Sequence, residues 1–202
     1  MEKIINNYSG ACMQDVFASV VTNHSTTGFV VDIGCQGPGK GNNSTLFLEK
    51  GWEGVGADIQ DYQSSWTSYP NYKFYKIDTT VKSNVDLLFE TCPDIIDFLS
   101  LDVDGASLST LQNIDLDKFK FKCICIEHDY YANGESLRAP QREILEKKYT
   151  RVIQTAAEDW YVDFSLLSDE TIQLLSDIPP HHEITESEMH NIPTWLNVEA
   201  KY

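Results

Sequence analysis

The sequence predicts an α/β fold, a mostly parallel sheet with helices on its faces that finishes in an antiparallel hairpin. Three observations carry this expectation. Short, nearly continuous apolar runs recur along the first two thirds of the chain, and helix-compatible segments separate them. After Lys148 two strand-like segments follow one another too closely for a helical crossover, so they must pair antiparallel. With 202 residues, 42% of them apolar, 11% aromatic and 23% charged, the chain has ordinary globular composition and enough length for one substantial core.

The apolar runs are Phe29–Ile33, Val55–Asp58, Phe74–Ile77, Ile96–Leu101 and Cys123–Ile126. They are β-rich and bounded by Gly, Asn, Asp or Pro, which suits strands covered on both faces. Gln14 to Val21 sets Val16, Phe17, Val20 and Val21 at one-turn spacing and predicts a helix. Ser44 is placed to cap a helix through Leu46, Phe47 and Leu48. Ser83 can cap one over Asn84–Cys92, and Pro140 can open one through Ile144 and Leu145. Thr150–Thr155 and Asp159–Phe164 form the expected hairpin. Beyond Leu166 stands one short helix candidate, Glu170–Leu175, and then the acidic, proline-punctuated stretch Pro179–Pro193. We therefore expect residues 1–165 to form the main body and 166–202 a C-terminal helix and acidic tail or lid of the same domain. His181, His182, Glu183, Glu186 and His190 in that tail read as a solvated lid rather than a metal patch.

Thirty-one acidic against fifteen basic residues give a formal charge of −16. Counterion release cannot drive such a chain onto a phosphate backbone, so neither nucleic acid nor an anionic membrane is expected as a partner. The stretch from Glu158 onward holds ten Asp or Glu and one Lys, leaving the rest of the chain nearer neutral. No basic stretch followed by an apolar run opens the sequence, and no 18-residue apolar window occurs. Five cysteines without CxxC spacing read as reduced thiols, which predicts a cytoplasmic protein.

The strongest local signal is Asp32-Ile33-Gly34-Cys35-Gln36-Gly37-Pro38-Gly39-Lys40-Gly41, directly after an apolar strand. A glycine-rich turn there lets a ligand approach the backbone at the carboxyl end of a strand, where open α/β sheets bind ligands. A dinucleotide fingerprint fails, because Gln36 stands where its second glycine is needed. Gly34 through Lys40 does match the spacing of a nucleoside-triphosphate loop. Gly41, however, has no hydroxyl for magnesium, and Asp102 would be that reading's acidic partner. The third ligand is a cationic one. Asp32 before the first glycine would repel pyrophosphate but suits S-adenosylmethionine, which carries a sulfonium and an ammonium. Asp58 ends the next strand, where a carboxylate accepts from ribose hydroxyls, and Asp78 ends the following one, within reach of an adenine amino group.

Several blocks in this order resemble the FkbM-type class I S-adenosylmethionine-dependent methyltransferases. They are Gly28-Phe29-Val30-Val31-Asp32-Ile33-Gly34, Asn43-Ser44-Thr45, Leu48-Glu49-Lys50-Gly51-Trp52-Glu53-Gly54, Asp97-Phe98-Leu99-Ser100-Leu101-Asp102-Val103-Asp104-Gly105, Ile126-Glu127-His128 and Glu158-Asp159-Trp160-Tyr161-Val162. Two departures stand out: Asp58-Ile59 replaces the family's usual Glu-Pro, and the glycine loop is longer. The resemblance implies a Rossmann-like, seven-stranded sheet with its last strand antiparallel, and a methyl transfer to an oxygen of a sugar or small metabolite. Asp32, Gly34 and Gly37 would hold the methionine end, Asp58 the ribose and Asp78 the adenine.

Asp102 and Asp104 follow one expected strand, and Glu127, His128 and Asp129 follow the next. Crowded carboxylates must gain a cation or accept a raised pKa. One outcome is a divalent metal, Mg or Mn, held by Asp102, Asp104, Glu127 and His128 in a layout similar to catechol O-methyltransferase. Another is a bare general base, with Asp102 and His128 as the candidates. In the third, Asp102 and Asp104 bind the cofactor amino group or cap the following helix. Tyr130 and Tyr131 could wall an acceptor pocket or simply pack. Trp66 and Tyr69 could cover the adenine or close the core. Arg138, Arg142, Lys147 and Lys148 read as one solvated helix face. Together these expectations describe a methyltransferase with a small-molecule or glycan acceptor. A nucleotide hydrolase and a non-catalytic S-adenosylmethionine-binding module are the alternatives.

Overall fold

A computed structural model describes residues 3–176, 178, 183–185, 188 and 191–201. The remainder of the tail, including His181, His182, Glu186 and His190, lies outside the described residues.

The main sheet is built from β2 (Phe29–Ile33), β3 (Glu53–Asp58), β4 (Tyr72–Lys76), β5 (Ile95–Leu101), β6 (Lys120–Glu127), β7 (Thr150–Thr155) and β8 (Glu158–Val162). Its order is β4-β3-β2-β5-β6-β8-β7, with the two-residue β9 (Glu183–Ile184) added beside β7 as an eighth strand. Strands β2 to β6 pair parallel, whereas β8 runs antiparallel between β6 and β7, as the short Thr155-to-Glu158 connection requires. A second sheet joins β1 (Lys3–Asn6) in parallel to β10 (Val198–Lys201), so the two ends of the chain meet.

Side chains alternate between two cores along each strand. Val30, Phe98, Cys123, Cys125 and Trp160 face one layer; Val31, Ile33, Leu99, Ile124, Ile126 and Tyr161 face the other. The first layer also takes α1 (Gln14–Val21), α2 (Thr45–Glu49) and the tail residues Leu175, Ile178, Ile184, Ile192, Leu196 and Val198. These tail residues pack in the core and do not stand off as a lid. The second layer is covered by α3 (Lys82–Phe89), α4 (Ser107–Asn113) and α6 (Glu135–Leu145), through Val85, Leu88, Phe89, Leu111 and Leu145.

Three helix starts differ from the sequence expectation. At α2 the cap is Asn42, whose Oδ1 accepts from the N–H of both Ser44 and Thr45, at 3.0 and 2.7 Å, while the Ser44 hydroxyl itself donates to that same oxygen. At α3 the helix begins at Lys82, which puts Ser83 inside its first turn. Pro140 lies within α6 instead of opening it, because the short α5 (Tyr130–Asn133) and Gly134 set the start at Glu135. The expected solvated face of that helix is also wrong in part. Arg138 is buried, with its guanidinium 3.5 Å from the Tyr130 ring centroid, and Arg142 makes two bonds to the buried Asp159.

Trp160 is fully enclosed, 5.0 Å from the Phe17 ring centroid, and its indole N–H donates to Glu158 at 2.7 Å. Replacing it with alanine removes a large core side chain and a donor to a buried carboxyl. Trp160→Ala should cost about 3–5 kcal/mol, read from urea unfolding of the variant against the parent chain.

Candidate functional site

In this strand order β2 pairs with both β3 and β5, and successive connections leave β2 and β5 in opposite directions. The carboxyl ends of those two strands therefore border the crevice where open α/β sheets take ligands. Gly34 turns away from β2 with φ +86°, and a Cβ added there would fall 1.6 Å from the carbonyl oxygen of Asp102. Only glycine fits this contact. The N–H of Asp102 donates to Ile33 at 2.8 Å, locking the two strand ends together. Gly37 is different, because a Cβ there would meet Ser65 at an ordinary 3.6 Å.

A cavity of about 310 Å³ opens on this seam, lined by Gly34, Asp58, Asp78, Asp102, Asp104, Tyr62 and neighbouring residues. That volume lies at the lower end of the range for small-molecule sites. A smaller recess of about 40 Å³ adjoins it, bounded by Asp32, Gly34, Gly37, Lys40, Asn43 and Asp102. Among the expected cofactor residues, the structure thus brings Gly34, Asp58 and Asp78 to the cavity and Asp32 and Gly37 to the recess.

Their states differ. Asp58 accepts from the N–H groups of Gln36 and Gln60 at 3.0 and 2.8 Å, which fixes its carboxylate and ties the glycine loop to β3. Asp78 is exposed, and hydrogen bonds from the Thr80 hydroxyl and N–H hold its carboxyl below the usual range. Asp32 is 2% exposed, and burial pushes its carboxyl up to about 7 despite hydrogen bonds from Ser100, Ser44 and Asn42. It braces the loop from beneath, with the Asn42 amide donating to it at 3.1 Å. Trp66 is buried and donates to the Gln36 carbonyl, so it closes the core edge under the loop.

The acidic cluster at the ends of β5 and β6 gathers Asp104, Glu127 and Asp129, with carboxylate oxygens within 4.8 Å of one another. Glu127 accepts from the Asp104 N–H at 2.9 Å. Loss of water, then the hydrogen bond and charge of Asp102, raise Glu127 to about 9. Asp102 is likewise raised, by desolvation and by the charges of Asp104 and Asp129. Near neutral pH the Asp102–Glu127 pair therefore keeps a proton. One Asp129 oxygen is buried without a hydrogen-bond partner.

His128 is not part of this cluster. Asp129 adopts φ +45°, and the imidazole between the two acids turns inward, fully buried. Its Nδ1 accepts from the Tyr130 N–H at 3.2 Å, and its Nε2 lies 3.6 Å from Asp159. Burial pushes the Asp159 carboxyl up, but donors on Arg142 and His128 outweigh it and hold it down at about 2. A ring so enclosed cannot reach an acceptor or a shared ion, so His128 is corrected from base and ligand to a buried partner of Asp159. Asp129, named among these acids but not among the expected ligands, takes the place expected of His128, because its left-handed backbone was not legible in the sequence. Tyr131, 73% exposed, stands beside it.

The glycine loop does not form a phosphate cradle. The N–H groups of Gly34 and Cys35 donate to Ala57, that of Gln36 to Asp58, that of Gly39 to the Thr45 hydroxyl and that of Gly41 to Ser9. A triphosphate loop turns such groups toward its ligand and runs directly into a helix, whereas α2 begins five residues after Lys40 and has only five residues.

Solved structures share this architecture. MycE methyltransferase from the mycinamycin biosynthetic pathway, in a complex with Mg and SAH, matches with a TM-score of 0.53 over 72% of this chain at 11% identity. A Listeria monocytogenes protein assigned to the class I S-adenosylmethionine-dependent methyltransferases matches with a TM-score of 0.55 over 94% of the chain at 10% identity. The chain has the Rossmann-like class I methyltransferase fold. It spans 47% of the length of MycE and 70% of the Listeria protein. No family model matches the chain, and no curated protein matches it by sequence. Within this class I methyltransferase fold, the cavity and the acidic cluster occupy the carboxyl edge of the sheet. Among the described residues, no helix is long and apolar enough to cross a membrane.

Two variants probe this geometry. Gly34→Ala should destabilise the chain markedly, since both the positive φ and the 1.6 Å approach forbid a Cβ; thermal unfolding reads the effect. Glu127 has a folded pKa above that of the unfolded chain, so its contribution is present in acid and is lost as pH rises from about 4.5 toward 9. Glu127→Gln mimics the protonated acid, and its melting temperature relative to the parent chain should climb steadily between pH 5 and 9.

Proposed function

We propose that the protein is an S-adenosylmethionine-dependent methyltransferase that acts on a hydroxyl of a sugar or small metabolite. The observation that carries this reading is the placement of Gly34, Asp58, Asp78 and Asp102 around one cavity at the point where the strand order reverses. The fit is chemical as well as spatial. Acidic groups in the lining suit a sulfonium and an ammonium, Asp58 would accept from ribose hydroxyls, and Asp78 would take the adenine amino group. The committed loop N–H groups argue against a nucleotide hydrolase.

The donor's sulfonium is already activated, so the protein's task is alignment and removal of one proton. Bound in this cavity, the cofactor would supply the activated methyl group, and the chain's own residues would hold an acceptor hydroxyl in line with it and take up the hydroxyl proton. Asp102 stands at the junction of cavity and acidic cluster, where its carboxylate is placed to take that proton, and loss of water raises its proton affinity. Asp104, Glu127 and Asp129 would hold a divalent metal, Mg or Mn. The orphaned, buried Asp129 oxygen fits that role, because a hard cation would satisfy it and release the proton held with Glu127. A bound divalent cation acidifies a coordinated hydroxyl and fixes its direction. The oxygen acceptor and the sugar rest on the FkbM resemblance. A small-molecule or glycan acceptor and a cytoplasmic site of action complete the proposal.

Calorimetric titration tests the cofactor first. S-adenosylhomocysteine should bind and ATP should not, and Asp58→Ala should weaken S-adenosylhomocysteine at least about tenfold. ATP binding without S-adenosylhomocysteine binding would overturn the proposal. For the metal, Mg or Mn titration should release protons in proportion to binding, and Asp129→Asn should abolish that release. Full methyl transfer in excess chelator would remove the metal and leave the bare base.

A further inference from the structure

The carboxyl edge of the sheet carries one sign of charge. Among the described residues that line the cavity, Asp58, Asp78, Asp102 and Asp104 are ionisable acids and none is a lysine or arginine. Glu127 and Asp129 stand beside Asp104 at the end of β6. The basic side chains of the neighbouring elements are committed elsewhere. Arg138 lies over the Tyr130 ring and pairs with Glu135, Arg142 is bonded to Asp159, and Lys76 stands 3.9 Å from Asp61. The adjoining recess adds Lys40 but also Asp32. The charges that act most strongly on Asp102 and Glu127 are accordingly those of other acids. Asp129, 8% exposed, keeps one oxygen without a hydrogen-bond partner, so the edge has acceptor capacity to spare. A proton on the Asp102–Glu127 pair, a divalent ion on the triad and the single net positive charge of the cofactor do not together offset these six carboxyls. A cleft lined by one sign of charge focuses its field on whatever enters it.

We propose that the acceptor is uncharged or carries an amine beside its reacting hydroxyl, and that acceptors bearing a phosphate or carboxylate there are refused. This narrows the sugar or small-metabolite reading above and rests on it. A hydroxyl can donate to the spare carboxylate oxygens, and an ammonium next to it gains from the same acids. A phosphate or carboxylate would meet several like charges at short range with no guanidinium or ammonium turned toward it. Tyr131 marks the place where this field can be read. Its ring is 73% exposed, and its hydroxyl, hydrogen-bonded to Asp129 and under the charges of Asp129, Glu127 and Asp104, is held above the usual phenol range.

The field is tested with a fluorescent reporter at that position. Trp52, Trp66 and Trp160 are buried, so a Tyr131→Trp variant of the full chain adds an exposed indole whose quenching is read against the parent chain. At low, constant ionic strength, iodide should quench this reporter about threefold less than it quenches a free indole, each taken relative to neutral acrylamide, and caesium should quench it more. The difference should persist with saturating Mg and S-adenosylhomocysteine. Matched acceptors carry the same selection into the reaction. With labelled S-adenosylmethionine, a methyl glycoside or an amino sugar should be methylated at least about tenfold faster than the phosphate or uronic acid of the same ring. Iodide quenching equal to that of free indole overturns the proposal, as does loss of the difference on adding Mg and S-adenosylhomocysteine, or faster methylation of the anionic acceptor. Calorimetry of the same chain separates the two failures. A chain that binds S-adenosylhomocysteine but fails these tests keeps the cofactor reading and loses this one, whereas a chain that does not bind it loses both.

Discussion

The site depends on one close approach. Gly34 passes so near the carbonyl of Asp102 that no side chain fits between them, and the Asp102 N–H returns a hydrogen bond to Ile33. This contact fastens the end of β2 to the end of β5, the two strands from which the chain departs in opposite directions. Everything on the carboxyl edge takes its position from that seam. The cavity opens along it, the loop from Cys35 to Gly41 folds over one side, and the acids at the ends of β5 and β6 stand on the other.

Beneath the loop, polar groups do the work that apolar packing does elsewhere. Asp32 is enclosed and gathers donors from Asn42, Ser44 and Ser100, while Asn42 also accepts from the first N–H groups of α2. One asparagine therefore joins the buried acid, the loop and the helix start. The N-terminal segment is drawn into the same arrangement, for the Gly41 N–H donates to Ser9, and the Ser9 hydroxyl donates to the Asn42 carbonyl. Because β1 lies just before that segment and pairs with β10, the strand Val198–Lys201 supports the glycine loop through two steps of ordinary hydrogen bonding.

The cluster at β5 and β6 shows how burial divides similar residues between different tasks. Asp102 and Glu127 lose water and face the charges of neighbouring acids, so the pair keeps a proton near neutral pH. A few ångströms away Asp159 has Arg142 and His128 and remains ionised well into acid. The first arrangement shares a proton between two acids; the second is a fixed strut between β8 and α6.

The sequence by itself determined the seven strands β2 to β8, the antiparallel finish and the acids at successive strand ends; β1, β9 and β10 were not legible in it. Those features depend on local periodicity, on turn residues and on the length of connections, all of which are written in order along the chain. Asp58, Asp78 and Asp102 could be named from their positions after apolar runs alone. What only the tertiary structure decided was direction and company. His128 and Asp129 are neighbours in sequence, yet one left-handed residue sends the ring into the core and leaves the carboxylate at the site. Arg138 and Arg142 read as surface charges until Tyr130 and Asp159 arrive from elsewhere in the chain to cover them. The glycine loop satisfied a phosphate spacing, and only the partners of its N–H groups, Ala57, Asp58, Thr45 and Ser9, show that it faces inward. Spacing fixes which residues can meet; the long-range packing of strands and loops fixes which of their atoms face the ligand.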